Sequence, residues 1–199
     1  MTRSIRASDD LLLPFLPHVG HDAGMTNAET DARGSPFWRF SLGFYRQTGV
    51  SEACIGLQDQ CGVDVNLLLF LLWLGLAKRQ LSLEELRAIE AKSRAWSLAV
   101  VVPLRGVRRM LKGGSSLVPD ATAEVFRTKI KAVELEAERL QQEALYGLAQ
   151  DASLGQAAAS VEGAARANTH IYEVLMGREF TKNAIEVLLR ALDRPQAAG

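Results

Sequence analysis

The sequence has almost no cysteine, no excess charge of either sign and no apolar run long enough to cross a bilayer. Each of these absences closes a class of function. The two cysteines, Cys54 and Cys61, fall seven residues apart on one expected helix. That places them roughly 10 Å apart along the axis, whereas a disulfide needs Cα atoms within about 7 Å. Neither a disulfide framework nor a cysteine-based zinc site follows, and reduced, buried thiols suit the cytoplasm. Lys plus Arg and Asp plus Glu number 23 each, so overall charge gives no reason to expect nucleic acid, and an anionic surface would need charge gathered on one face. The apolar run 65–77, interrupted by Asn66, is about 13 residues against the ~20 of a spanning helix, which makes it a buried core helix. Near the start, Arg3 and Arg6 precede Leu11, Leu12, Leu13, Phe15 and Leu16 in the order of a signal peptide. Asp9, Asp10, Pro14 and Pro17 break that pattern, and the segment reads as part of a flexible arm.

Catalytic signatures are missing too. There is no Gly-x-Ser-x-Gly elbow, phosphate-binding loop or dinucleotide fingerprint. Of three histidines, His18 and His21 lie in the arm, and His170 with Glu173 runs His-x-x-Glu. Di-iron bundles use the reverse order and further glutamates, so no metal or cofactor is expected. A nucleophilic cysteine needs exposure and a basic neighbour, whereas both cysteines fall on an apolar face.

What is present is helical periodicity nearly throughout. Residues 1–34 lack it and form the arm; 35–199 read as one all-α helical bundle of six or seven helices, a core half over 35–114 and packing helices over 119–192. Ser35 and Pro36 open an aromatic-rich helix. Val50, Cys54, Leu57 and Cys61 share one face of the next, which Gly62 closes. Asp64 caps the leucine-rich helix, and Ser82 with Glu85 forms a capping box. The helix that follows is expected to reach Lys112, bent or split at Pro103, with Leu86, Ile89, Trp96, Val100, Leu104, Val107 and Leu111 on its inner stripe. Asp120 is read as the cap of a long helix whose Phe126, Ile130, Val133, Ala137, Leu140, Ala144 and Leu148 form a narrow coiled-coil seam. Residues 151–160 look like a linker, and two further helices follow, the last entered through a Phe180–Ile185 staple around Thr181.

Three constellations are candidates for function. Gln58, Asp59, Asp64 and Asn66 gather polar groups beside the core, where two carboxylates near an amide could bind a cation or trade a proton, although capping by Asp64 and exposure of Asp59 explain most of them. Arg94, Arg105, Arg108, Arg109 and Lys112 fall on one side of the fourth helix if it is regular. Such a basic face meets an acidic partner or anionic lipid, or is answered by glutamates of the fifth helix. Phe40, Phe44, Trp73 and Trp96 could wall a pocket for a small apolar ligand.

The segment FWRFSLGFYRQTGVSEACIGLQDQ, continued by CGVDVNLLLFLLWLGL and later by AWSLAVVVPLRGVRRMLK, resembles a bacterial family of unknown function marked by LQD-x-x-G-x-D-V-N before a leucine-rich helix. The resemblance covers residues 37–112 and implies a bacterial cytoplasmic protein built as one helical unit, with no activity attached. The reading that follows is a non-enzymatic binding or regulatory protein acting on a protein partner or on its own copy. An apolar-ligand binder or enzyme, and a peripheral membrane protein using the basic face, are the alternatives.

Overall fold

In a computed structural model, residues 34–113 and 117–193 are described, and residues 1–33 of the arm lie outside them. The chain is all-α, as its periodicity requires. Helices α1 (Pro36–Tyr45), α2 (Val50–Cys61) and α3 (Val65–Leu76) follow in quick succession, then α4 (Leu83–Trp96), a π-helical turn (Ser97–Val101) and α5 (Val102–Met110) in one continuous run. The 30-residue α6 (Asp120–Ala149), α7 (Val161–Met176) and α8 (Lys182–Leu192) complete it.

Local signals set most boundaries. The Ser35 hydroxyl accepts from the Trp38 amide with Pro36 at the first helical position. Gly62, at φ 73°, supplies the left-handed residue that ends α2. Ser82 and Glu85 form the reciprocal capping box. At α6 the cap position is held by Pro119, which gives no side-chain capping bond, and Asp120 is the first helical residue. Thr181 sits at the cap of α8 but makes no capping bond; its hydroxyl turns to Gln60 Oε1 at 3.2 Å. Phe180 and Ile185 are both buried, as a staple needs.

The core is centred on α3, where Leu67 to Leu72 are fully buried. Its main cover is α7, and the two backbones approach so closely that a Cβ added at Gly75 would lie 2.7 Å from the Ala165 Cβ. Around α3 lie α1 and α6, with an aromatic group of Phe37, Phe70, Trp73 and Tyr146 between them. Cys54 and Cys61 are buried free thiols. Burial raises the Cys54 thiol to about 12, so it stays protonated and inert.

The segment 151–160 is no linker. Arg79 and Gln80 pair with Ala157 and Gln156 in a two-residue antiparallel ladder. The Arg79 guanidinium donates to the carbonyls of Ala149, Asp151 and Leu154, at 2.7 Å for the first two. One fixed cationic fork thus ties the last carbonyl of α6 to two carbonyls of the turn that follows it. Buried Asn168 plays the same part inside, accepting from Leu81 N and donating to the carbonyls of Leu71 and Arg79.

Asp64 caps α3 through Oδ1, which accepts from the amides of Asn66 and Leu67 at 3.0 and 3.4 Å. Its other oxygen accepts from Ser93 Oγ at 3.2 Å and from Gln141 Nε2 at 2.7 Å. Capping alone makes Asn an equal substitute, but the second oxygen removes that equality. Asp64→Asn keeps the cap and sets an amide donor against the Gln141 donor. Asp64→Ala loses cap and acceptor together, and should cost about 2–4 kcal/mol, combining a lost cap with stranded buried donors. Asn should fall between Ala and the wild type in urea unfolding, rather than matching the wild type.

Candidate functional site

Two stretches far apart in sequence meet at one cavity of about 260 Å³. The turn from α2 into α3 contributes Gln58, Asp64 and Asn66; the π-helical turn and start of α5 contribute Ser97, Leu98, Val101 and Arg105; Gln141, Tyr172 and Met176 close the back. Its polar floor is a chain of amides. Gln141 donates to Asp64 and, at 2.8 Å, to Ser93 Oγ. Asn66 Nδ2 donates to Gln141 Oε1 at 2.8 Å, and Gln142 Nε2 donates to Asn66 Oδ1 at 2.7 Å. Each amide fixes the orientation of the next, so the floor is rigid. The Tyr172 hydroxyl oxygen accepts from the Asp64 backbone N–H at 3.0 Å. Burial, with Asp64 nearby, holds that phenol well above its ordinary pKa and therefore neutral.

Beside this floor lies a buried ionic cluster. Arg105 donates through Nε to Glu134 at 3.0 Å, through Nη2 to Glu138 at 2.8 Å and through Nη1 to Gln58 at 3.2 Å. Arg108 meets Glu134 Oε2 at 2.5 Å. Both carboxylates are fully buried, and Glu138 Oε2 has no hydrogen-bond partner among the described residues. Burial raises the Glu138 carboxyl to about 8; the nearby Glu134 charge adds to this, and Arg105 opposes it.

Of the four polar residues singled out from sequence, Gln58, Asp64 and Asn66 come together here, while Asp59 is exposed and lines no part of the cavity. Sequence reading missed Ser93, Gln141 and Tyr172, which sit on separate helices and carry no local motif. The basic face is divided. Arg105 and Arg108 point inward onto α6, so glutamates of the long helix answer them. Arg109 and Lys112 are exposed, and Arg94 stands at the cavity rim, 66% exposed and 3.7 Å from Glu90. Of the expected inner stripe, Leu86 and Ile89 are buried, but from Trp96 onward it turns away from the core: Trp96 is 37% and Val107 36% exposed, and Val100, Leu104 and Leu111 are only half-buried. The cause is the π-helical turn, in which Val102 N–H reaches back five residues to Ser97 O. One extra residue in a turn rotates everything downstream by about 100°, so a strict 3.6-residue count fails after Trp96.

The seam on α6 holds only in part: Ala137 is buried and Ile130 and Leu148 are half-buried, but its other members turn outward. Glu134, Ala137, Glu138, Gln141, Gln142 and Leu145 face inward, while Phe126, Val133 and Leu140 are 50, 52 and 45% exposed. An apolar groove of about 420 Å³ runs between α4 and α6, walled by Trp96, Leu140, Ala144 and Leu148 with Lys92 at its edge. The aromatic quartet does not share a pocket. Phe40 stacks on Phe44, Trp73 joins the core aromatics, and Trp96 lies on α6, its indole N–H donating to Ala137 O at 3.0 Å. His170 is exposed with Nδ1 3.3 Å from Glu173. Among the described residues no three His, Cys, Asp or Glu side chains group as a metal site would need, and no helix is long and apolar enough to cross a membrane.

Residues 36–145, more than half of the chain, match the family model described as "Protein of unknown function (DUF2390)". The chain belongs to the DUF2390 family. No curated protein and no solved structure matches it. The part matching DUF2390 holds the two stretches that meet at the cavity and the whole ionic cluster, whereas Tyr172 and Met176 come from beyond it.

Two outcomes follow from the cluster. Arg105→Glu faces two buried carboxylates and should destabilise by about 3–5 kcal/mol or more, while Arg109→Glu on the surface should stay within about 0.5 kcal/mol in chemical denaturation. The second concerns pH. Because the folded Glu138 carboxyl titrates near 8, the fold keeps a proton that the unfolded chain releases near 4.5. That contribution to stability is complete below the unfolded value and is lost as pH rises through 8. Stability from urea titrations should therefore fall between pH 5 and 8 by at most about 1.4 kcal/mol per pH unit, and Glu138→Gln should flatten the slope.

Proposed function

We propose that this DUF2390 member is a non-enzymatic helical binding protein that acts through protein–protein contacts on the open face of α6. The observation that carries the reading is the exposure of Phe126, Val133 and Leu140 at seven-residue spacing on a 30-residue helix. Large side chains in a line on a surface lose the hydrophobic stabilisation that burial gives, about 1.5–3 kcal/mol each, unless something covers them. The opposite face of the same helix is already committed to the core, so the apolar line is not a misplaced part of it. A helix presenting i, i+7, i+14 anchors is the form in which helices meet other helices. The free thiols and balanced charge fit a bacterial cytoplasmic setting for such a protein.

A second reading rests on the cavity between the α2–α3 turn and the π-helical turn, which joins a polar floor to largely apolar walls. Its floor of Asp64, Asn66 and Gln141, with Arg94 at the rim and a π-helical turn as one wall, suits a small polar ligand. This replaces the apolar-ligand alternative, whose four aromatics are dispersed. A membrane role for the basic face is weakened by the inward turn of Arg105 and Arg108.

The test is affinity capture with the tagged full-length chain and with a Val133→Glu/Leu140→Glu variant whose circular dichroism matches the wild type. Proteins retained by the wild type should be lost from the variant. An identical set from both would remove the α6 face as the contact surface.

A further inference from the structure

We infer that the open face of α6 is covered by a second copy of this chain, the two α6 helices lying antiparallel with Val133 at the twofold axis. This rests on the reading of that face as a protein-contact surface and names the occupant. The free face lies between the groove wall formed by Trp96 on one side and the α1 end on the other, where Ser35 N–H donates to Glu143 at 2.8 Å. Along it, Phe126, Val133 and Leu140 recur every seven residues, the repeat that makes two helices wind around each other in a left-handed sense. Val133 lies midway, seven residues from each of the others. An antiparallel pair centred on it sets Phe126 of one copy over Leu140 of the other, twice, and closes on itself as a twofold interface must.

Charge decides the direction. Lys129 and Glu136 flank the line on its free side, both exposed. In a parallel pair Lys129 meets Lys129 and Glu136 meets Glu136, like charges in register. In the antiparallel pair Lys129 of each copy comes opposite Glu136 of the other, so two unlike pairs replace two like ones. The overlap from Thr122 to Ala144 extends ~35 Å along the helix, long enough to bury a continuous strip. Both ends of that strip are small residues, Thr122 and Ala144, which let the backbones stay close.

The experiment uses the full-length protein. Light scattering on a sizing column should give twice the 21.7 kDa chain mass, and Val133→Glu should shift the dimer dissociation constant upward by about tenfold or more with unchanged circular dichroism. Orientation is read by cysteine pairing, since the native Cys54 and Cys61 are buried. Val133→Cys should form a disulfide-linked dimer on mild oxidation. Phe126→Cys and Leu140→Cys should each fail alone and cross-link when mixed. A monomer at all concentrations, or a dimer in which Val133→Cys stays unlinked, overturns the inference. If that monomer still loses its captured proteins through Val133→Glu/Leu140→Glu, the face serves another partner and the broader reading stands without this one.

Discussion

Two carboxylates buried on the inner side of α6 set the terms for the rest of the molecule. Buried beside Glu138, which keeps its proton until pH rises to about 8, Glu134 needs cations at hand, because desolvating a charge costs several kcal/mol unless it is paired. Arg105 and Arg108 supply them, which obliges α5 to turn its basic side inward. Arg105 and Arg108 can point that way only because the π-helical turn before them adds a residue and advances the phase of the helix. The same inward commitment of α6 leaves Phe126, Val133 and Leu140 outside. Basic cluster, π-helical turn and exposed hydrophobic line are thus consequences of one pairing.

Where the sequence was readable, the determinant was local. Ser35, Asp64, Ser82 with Glu85, Gly62 and the Phe180–Ile185 staple each act within one turn of where they stand, and helix boundaries followed from them. The fully apolar run of α3 also announced its burial, since no face of it could be left in water. The failures begin where a distant partner decides. On α6 the periodicity favoured Phe126, Val133 and Leu140 as part of an inner line. The opposite holds because Arg105 and Arg108, about thirty residues earlier, satisfy the carboxylates, and no pattern within α6 carries that information. Arg79 is similar: its fork organises residues 149–154, a stretch of small and polar residues ending at Leu154 that gives no sign of being held.

The cavity was half legible for the same reason. Gln58, Asp64 and Asn66 stand close in sequence and could be grouped by eye. Ser93, Gln141 and Tyr172 reach the same place from three other helices, and only the hydrogen-bond chain joins them. Asp59 was drawn in by proximity along the chain, yet its position on α2 sends it to solvent. Polar residues near one another in sequence are evidence of a site only when helical phase brings them to one side, and the carboxylate of Asp64 shows how a cap can belong to two structures at once.

The close contact of Gly75 with Ala165 has a consequence for how the chain is divided. The family likeness stops at residue 145, before the end of α6 and before α7 begins. Yet α3, the most apolar helix, has its tightest backbone approach on α7, and Arg79 finds all its carbonyl partners after that boundary. A fragment trimmed to the region of likeness would expose the side of α3 that Ala165 covers and leave an arginine fork with nothing to hold. The stretch over which sequences can be recognised as kin is therefore shorter than the stretch that can fold, and a polypeptide boundary placed by kinship would cut through a single hydrophobic core.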